Sequence, residues 1–102
     1  MPKEPSQKDI LLTAVLYALS DEVRLEIVRQ LAERGELPCG VFELDCPKSS
    51  LSHHFRVLRE SGLVSTKRSG AVLLNTLRRK EIEARFPGLI GEVIEEKPAK
   101  RH

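Results

Sequence analysis

Apolar residues recur along this chain in a helical rhythm, then in a strand rhythm, then in a helical one again. From Asp9 the stretch "DILLTAVLYAL" is apolar on every side of a helical wheel, so a helix here must be covered all round. In a chain of 102 residues one side of that helix reaches the chain's own core, and the other calls for a partner. Ser20 reads as the N-cap of a second helix, with Asp21 and Glu22 in its first turn and Gly35 as its stop. Within it Val23, Ile27, Val28 and Leu31 form a broad stripe, flanked by Leu25 and Ala32. The segment "GELPCGVFELDCP", residues 35 to 47, is broken by Pro38, Gly40 and Pro47. It leaves room for one or two helical turns around Val41 to Leu44. Pro47 suits the first position of the next helix, where its missing N–H is not needed. Leu51, Phe55 and Leu58 form the buried stripe of that helix, and Gly62 ends it.

After Gly62 the period changes. "LVSTKRSGAVLLNTL", residues 63 to 77, carries β-branched and aliphatic residues on both sides of Arg68-Ser69-Gly70, which reads as a hairpin turn. Helical spacing returns in Ile82, Phe86, Leu89, Ile90, Val93 and Ile94, divided by Pro87-Gly88. No internal repeat or low-complexity tract interrupts the order. The expected fold is mainly α with a small β-hairpin. A frayed, polar tail spans residues 1–8, one domain spans 9–96, and a second tail spans 97–102.

Composition narrows the class. With 40% hydrophobic and 31% charged residues the chain is expected to be soluble and globular. Its longest apolar run, Ile10 to Leu19 with Thr13 inside it, is too short to span a membrane. The amino terminus lacks the apolar stretch of a signal peptide, and two cysteines without export signals point to a reducing cytoplasm. The net charge of +2 is unevenly spread. Residues 1–47 hold five Lys/Arg against nine Asp/Glu, or −4; residues 48–70 hold five against one, or +4; residues 71–102 hold seven against five, or +2. A short basic segment inside a balanced protein has the form of an electrostatic footprint for a polyanion.

That basic segment contains "SSLSHHFRVLRES", residues 49 to 61, which has no carboxylate before Glu60. Most helices place acidic residues in their first turn, where the helix dipole favours negative charge. Here something else must supply it, and DNA phosphates would. Helix, helix, short helix, polar helix and hairpin is the order of a winged helix-turn-helix, whose recognition helix enters the major groove by its amino-terminal residues. Ser49, Ser52, His53 and Arg56 lie opposite the Leu51/Phe55/Leu58 stripe, with Lys48 and Ser50 near the first turn and Lys67 and Arg68 on the wing. All eight are expected to contact double-stranded DNA. His54 falls on the inner side beside Phe55, where a structural role is expected.

"ALSDEVRLEIVRQL" (18 to 31), "SSLSHHFRVLRESGLV" (49 to 64) and the short wing after them resemble the ArsR/SmtB family of bacterial winged-helix transcriptional regulators. The resemblance covers roughly residues 9 to 94. It implies a homodimer joined through its first and last helices, here Leu11, Leu12, Val15 and Leu16 with Leu89, Ile90, Val93 and Ile94. It further implies a repressor bound to a near-palindromic operator and released by an effector, a small molecule or a redox signal of unknown identity. Many members sense metal through a Cys-x-Cys pair at the position where this chain reads Pro38-Cys39-Gly40-Val41, with a single thiol. Another metal site of the family needs histidines that this chain, with only His53, His54 and His102, does not place there. No metal and no cofactor is expected.

Other readings stand beside this one. Adjacent histidines point about 100° apart on a helix, a poor spacing for chelation. Cys39 and Cys46 on one straight helix would lie ~10.5 Å apart, beyond the ~7 Å reach of a disulfide. The prolines and glycine between them allow a loop, so a thiol redox switch and a soft-metal site shared between subunits both stay open beside inert thiols. A winged-helix module that binds protein is a further alternative, which the basic segment disfavours. No paired nucleophile and base, phosphate loop or useful carboxylate pair is visible, so no enzyme is expected.

Overall fold

The computed structural model describes residues 4–95, so the expected tail at 97–102 lies outside the described residues, as do residues 1–3. Its helices are α1 (Leu12–Leu19), α2 (Glu22–Arg34), α3 (Leu51–Ser61), α4 (Arg79–Arg85) and α5 (Leu89–Ile94). Its strands are β1 (Leu37–Pro38), β2 (Val64–Ser69) and β3 (Val72–Leu77), arranged β1-β3-β2 in one antiparallel sheet. The mainly α fold with a β-hairpin is as the sequence predicts. Four local differences have physical causes.

First, residues 4–9, expected within a frayed tail or at the start of α1, are tied to the rest of the fold. Glu4 accepts hydrogen bonds from the Ser65 hydroxyl (2.8 Å) and the Thr66 N–H (3.0 Å), along the open edge of β2. Arg78 donates to the Pro5 carbonyl, and Arg85 to those of Gln7 and Lys8. Gln7–Asp9 make a single 3-10 turn and Ile10 is extended and fully buried, so α1 starts at Leu12 rather than Asp9.

Second, Ser20 closes α1 instead of opening α2: its hydroxyl donates to the Tyr17 carbonyl at 2.6 Å. Asp21 takes the N-cap, accepting from the N–H groups of Val23 (2.8 Å) and Arg24 (3.1 Å). A carboxylate is the stronger acceptor at the positive end of a helix. Gly35 ends α2 with φ +82°, as predicted.

Third, the turns expected around Val41 to Leu44 do not form. β1 occupies Leu37–Pro38 and a 3-10 turn occupies Cys39–Val41. Phe42 is extended, and from there burial alternates: Phe42, Leu44 and Cys46 are half-buried while Glu43 and Asp45 are exposed. A period of two is that of extended chain. The element preceding the recognition helix is thus reduced to one 3-10 turn. β1 itself was not visible in the sequence. It is held by Asn75 of β3, fully buried, which accepts from the Thr66 hydroxyl and donates to the Leu37 carbonyl and Cys39 Sγ. Pro38 is tolerated because β1 is an edge strand.

The hairpin turn also moves two residues onward. Ser69 pairs with Val72, so Gly70-Ala71 is the two-residue loop, with Gly70 at φ +63°. The core gathers Ile10, Val15, Ala18, Ile27, Val28, Leu31, Phe55, Leu58, Leu63, Val64, Ile82 and Ile90, all buried. Phe42 meets Phe55 edge-on at 5.3 Å, which fixes the approach to α3.

Candidate nucleic-acid interface

Helix α3 owes its position to its inner stripe and its chemistry to its outer one. Pro47 leads into a 3-10 turn, Lys48–Ser50, that runs directly into the α-helix at Leu51. Phe55 and Leu58 anchor it in the core, with Leu51 half-buried at its start, and Gly62 stops it in the left-handed region at φ +91°. The outer face is left with Lys48, Ser49, Ser52, His53 and Arg56, all exposed. Ser52, His53 and Arg56 line one shallow hollow. No acidic residue stands in the first turn of α3, and no side chain caps it. The polar end of this helix is therefore open to an external anion.

Ser50 differs from its neighbours. Its hydroxyl donates to the Pro47 carbonyl at 2.8 Å, so its proton is used in shaping the turn and only its lone pairs remain for a ligand. Lys67 and Arg68 are both exposed at the distal half of β2. Successive strand residues point to opposite faces, and Val64 and Thr66 face the core. Arg68 shares that side of the sheet, the side on which α3 packs, whereas Lys67 falls on the outer face. There Lys67 lines a groove with Ser65, Thr76, Arg79 and Lys80.

Across α3 from His53, His54 is 9% exposed and meets a side chain the sequence reading passed over. Arg24, on α2, is only 5% exposed. Its Nη1 lies 3.2 Å from His54 Nδ1, its Nε donates to the Ala18 carbonyl at 2.8 Å, and its Nη2 donates to the Tyr17 carbonyl at 3.2 Å. Burial holds His54 below the ordinary histidine value of 6.5; Arg24 and His53 add to that, against an upward pull from Asp21, 3.9 Å away. Burial works to raise the Asp21 carboxyl, but the Arg24 N–H and the nearby positive charges outweigh it, and its pKa is lowered. Arg24 was legible in principle, since it stands three and four residues before Ile27 and Val28 on the buried stripe of α2.

The predicted subunit-contact residues divide in two. Leu11, Leu12 and Leu16 are 63%, 44% and 48% exposed, joined by Tyr17 at 60%. Leu89, Val93 and Ile94 are half-buried on α5. Val15 and Ile90 are corrections: both are fully buried in the chain's own core and have no area left to offer a partner.

Comparison with known proteins agrees with this geometry. A family model described as "Helix-turn-helix domain" matches residues 19–66, from the end of α1 into β2. The chain is 36% identical over 85 residues to the uncharacterized HTH-type transcriptional regulator YceK of Bacillus subtilis, covering 80% of this chain and 85% of that one. It is 31% identical over 77 residues to the arsenical resistance operon repressor of the same organism, covering 74% of this chain and 70% of the repressor. Among solved structures, the transcriptional repressor BigR from Xylella fastidiosa superposes with a TM-score of 0.60 at 32% identity, over 74% of this chain and 85% of its own. With its recognition helix, wing and open helix end in place, this chain belongs to the ArsR/SmtB family of winged helix-turn-helix, DNA-binding transcriptional regulators.

Proposed function

We propose that the protein is a dimeric repressor that holds a near-palindromic operator through two copies of α3 and leaves it when an effector binds. The observation that carries the reading is the outer face of α3, where Lys48, Ser49, Ser52, His53 and Arg56 are exposed and no carboxylate appears in the first turn. Hydroxyls and an imidazole are small enough for the major groove and can bond base edges. Lys48 and Arg56 serve the phosphates, Ser50 shapes the turn that presents them, and Arg68, with Lys67 behind it, serves the flank beside the wing. Pairing of two chains through Leu11, Leu12, Leu16 and Tyr17 of one surface, with Leu89, Val93 and Ile94 of α5, would cover the exposed apolar face. Two-fold symmetry then sets half-sites about 10 to 10.5 base pairs apart.

No helix among the described residues is long and apolar enough to cross a membrane. The test is footprinting of the His53→Ala variant against wild type. A good base contact is worth ~1–3 kcal/mol of discrimination, so the variant should lose operator preference while keeping its melting temperature. Unchanged operator preference would remove His53 from the reading helix face.

For the effector, one observation favours a thiol route as a second reading. Cys39 Sγ accepts from Asn75, the residue that ties β1 to β3 just ahead of α3, so oxidation there would disturb the turn leading to the DNA face. Peroxide treatment that weakens operator binding in wild type and leaves Cys39→Ser unaffected would support it; equal response in both would exclude it.

A further inference from the structure

We infer that Arg24 is a positioning residue that locks the end of α1 to the inner side of α3, so that operator reading depends on a neutral His54. The inference rests on the DNA-binding reading above and adds a device to it.

The chemistry of Arg24 is unusual for a buried cation. Burying a guanidinium is costly unless its donors are all answered, and a shape-matched apolar residue often packs at lower cost. Arg24 is 5% exposed, and the three hydrogen-bond acceptors it reaches are neutral: the carbonyls of Tyr17 and Ala18 and the Nδ1 of His54. Those two carbonyls end α1, where the helix dipole favours a cation. The guanidinium also lies over the Tyr17 ring at 5.2 Å. Asp21 is spent on capping α2. One side chain of α2 therefore grips two other helices at once. The first, α1, carries exposed Leu12, Leu16 and Tyr17; the second, α3, presents His53 on its opposite side.

The grip has one permitted protonation state. Arginine can only donate, so His54 Nδ1 must accept, and the imidazole is neutral with its proton on Nε2. A second proton on Nδ1 would set an N–H against an N–H and two positive charges in contact. The charged and titratable groups facing His54 are Arg24 and Asp21 from α2 and His53 from α3. From α1 come the terminal carbonyls bound to Arg24, and the Tyr17 phenol beneath it. His54 has a folded pKa below its unfolded one. Its contribution to stability is therefore present above the unfolded value of 6.5 and is lost as pH falls through the folded value. A small rotation of α3 is enough to matter, because a step of one residue on a helix turns a side chain by about 100°.

The experiment compares operator and non-specific duplex binding by fluorescence anisotropy at pH 7.5 and pH 5.5, at constant ionic strength. All chains keep His53, so that its contribution to operator binding is common to the parent, which is the wild type, and to each variant. His54→Asn keeps an acceptor near the Nδ1 position and cannot be protonated. The expected result is that the parent loses operator affinity several-fold on acidification, and that His54→Asn loses little. Arg24→Met, of similar length, should lose about tenfold or more at pH 7.5 with non-specific binding unchanged. Folding of each variant is followed by circular dichroism. Parallel pH profiles for the parent and His54→Asn would overturn the inference even if Arg24→Met does not fold. Operator affinity of a folded Arg24→Met equal to the parent would overturn it independently. A wild-type chain that binds no duplex at all would instead sink the DNA-binding reading and this device with it.

Discussion

Gly62 shows how one position can be held by two constraints at once. It ends α3 at φ +91°, a conformation that side chains rarely adopt. A Cβ built there would sit 2.6 Å from Ile10 Cγ1, and Ile10 is itself fully buried where the N-terminal segment crosses the end of α3. Gly62→Ala must therefore strain the backbone and displace a core side chain. We expect a loss of ~2–6 kcal/mol in chemical denaturation, the sum of backbone strain and overpacking. A loss under about 0.5 kcal/mol, the range of an ordinary surface change, would show that Ile10 yields freely. The paired histidines make the complementary point. Adjacent in sequence, they meet opposite surroundings: His53 faces solvent, and His54 is buried against Arg24. The Leu51/Phe55/Leu58 stripe separates them already in the sequence, because it decides which side of α3 is inside. What the sequence did not contain was the partner of His54. Arg24 lies thirty residues away and meets it only through the crossing of α2 and α3.

Among the elements, α1 carries the most consequential surface. Its buried side, Val15 and Ala18, is satisfied by the core, while Leu12, Leu16 and Tyr17 stand in solvent on a helix whose role within one chain they do not serve. Leu16→Glu should leave a lone chain folded, since Leu16 is 48% exposed. If two chains pair there, it would bury an unpaired charge at the joint and cost several kcal/mol of association. Sedimentation should then find wild type dimeric at micromolar concentration and Leu16→Glu monomeric. A wild type that sediments as a monomer would count against pairing through α1. The wing offers a contrast between neighbours. Arg68 lies on the side of the sheet that faces α3, and Lys67 lies on the outer side with Arg79 and Lys80. Each phosphate contact adds about 0.9 to the slope of log affinity against log salt. Arg68→Ala should lower the slope by about one unit, and Lys67→Ala by less. Equal effects of the two would mean that the hairpin twists enough to erase the alternation.

At the scale of the whole molecule, the basic stretch from Lys48 to Gly70 falls on α3 and the wing, where Lys48, Arg56, Lys67 and Arg68 are all exposed. Operator binding should weaken steeply with salt, measured by anisotropy between low and physiological ionic strength. A flat response would leave the charge division without a purpose. Much of this was fixed by local pattern. The helical stripes of α2 and α3, the stops at Gly35 and Gly62, the split at Pro87-Gly88 and the polar outer face of α3 all depend on spacings of a few residues, and such spacings survive in a linear reading. The places where local pattern fell short share a cause. The N-terminal segment is tied by Ser65, Thr66, Arg78 and Arg85, all more than fifty residues downstream, so its polar composition looked like a tail. β1 is two residues long and exists because Asn75 reaches it across 38 positions. Val15 and Ile90 look like any other member of an apolar helix until the core claims them. The sequence by itself determined the longer helices and the hairpin, their inner faces and the polar outer face of α3, because those follow from the period of the chain. Only the tertiary structure decided which apolar residues were left over, which edge was closed and which cation stood behind the reading helix, because those are contacts between segments that the chain brings together only by folding.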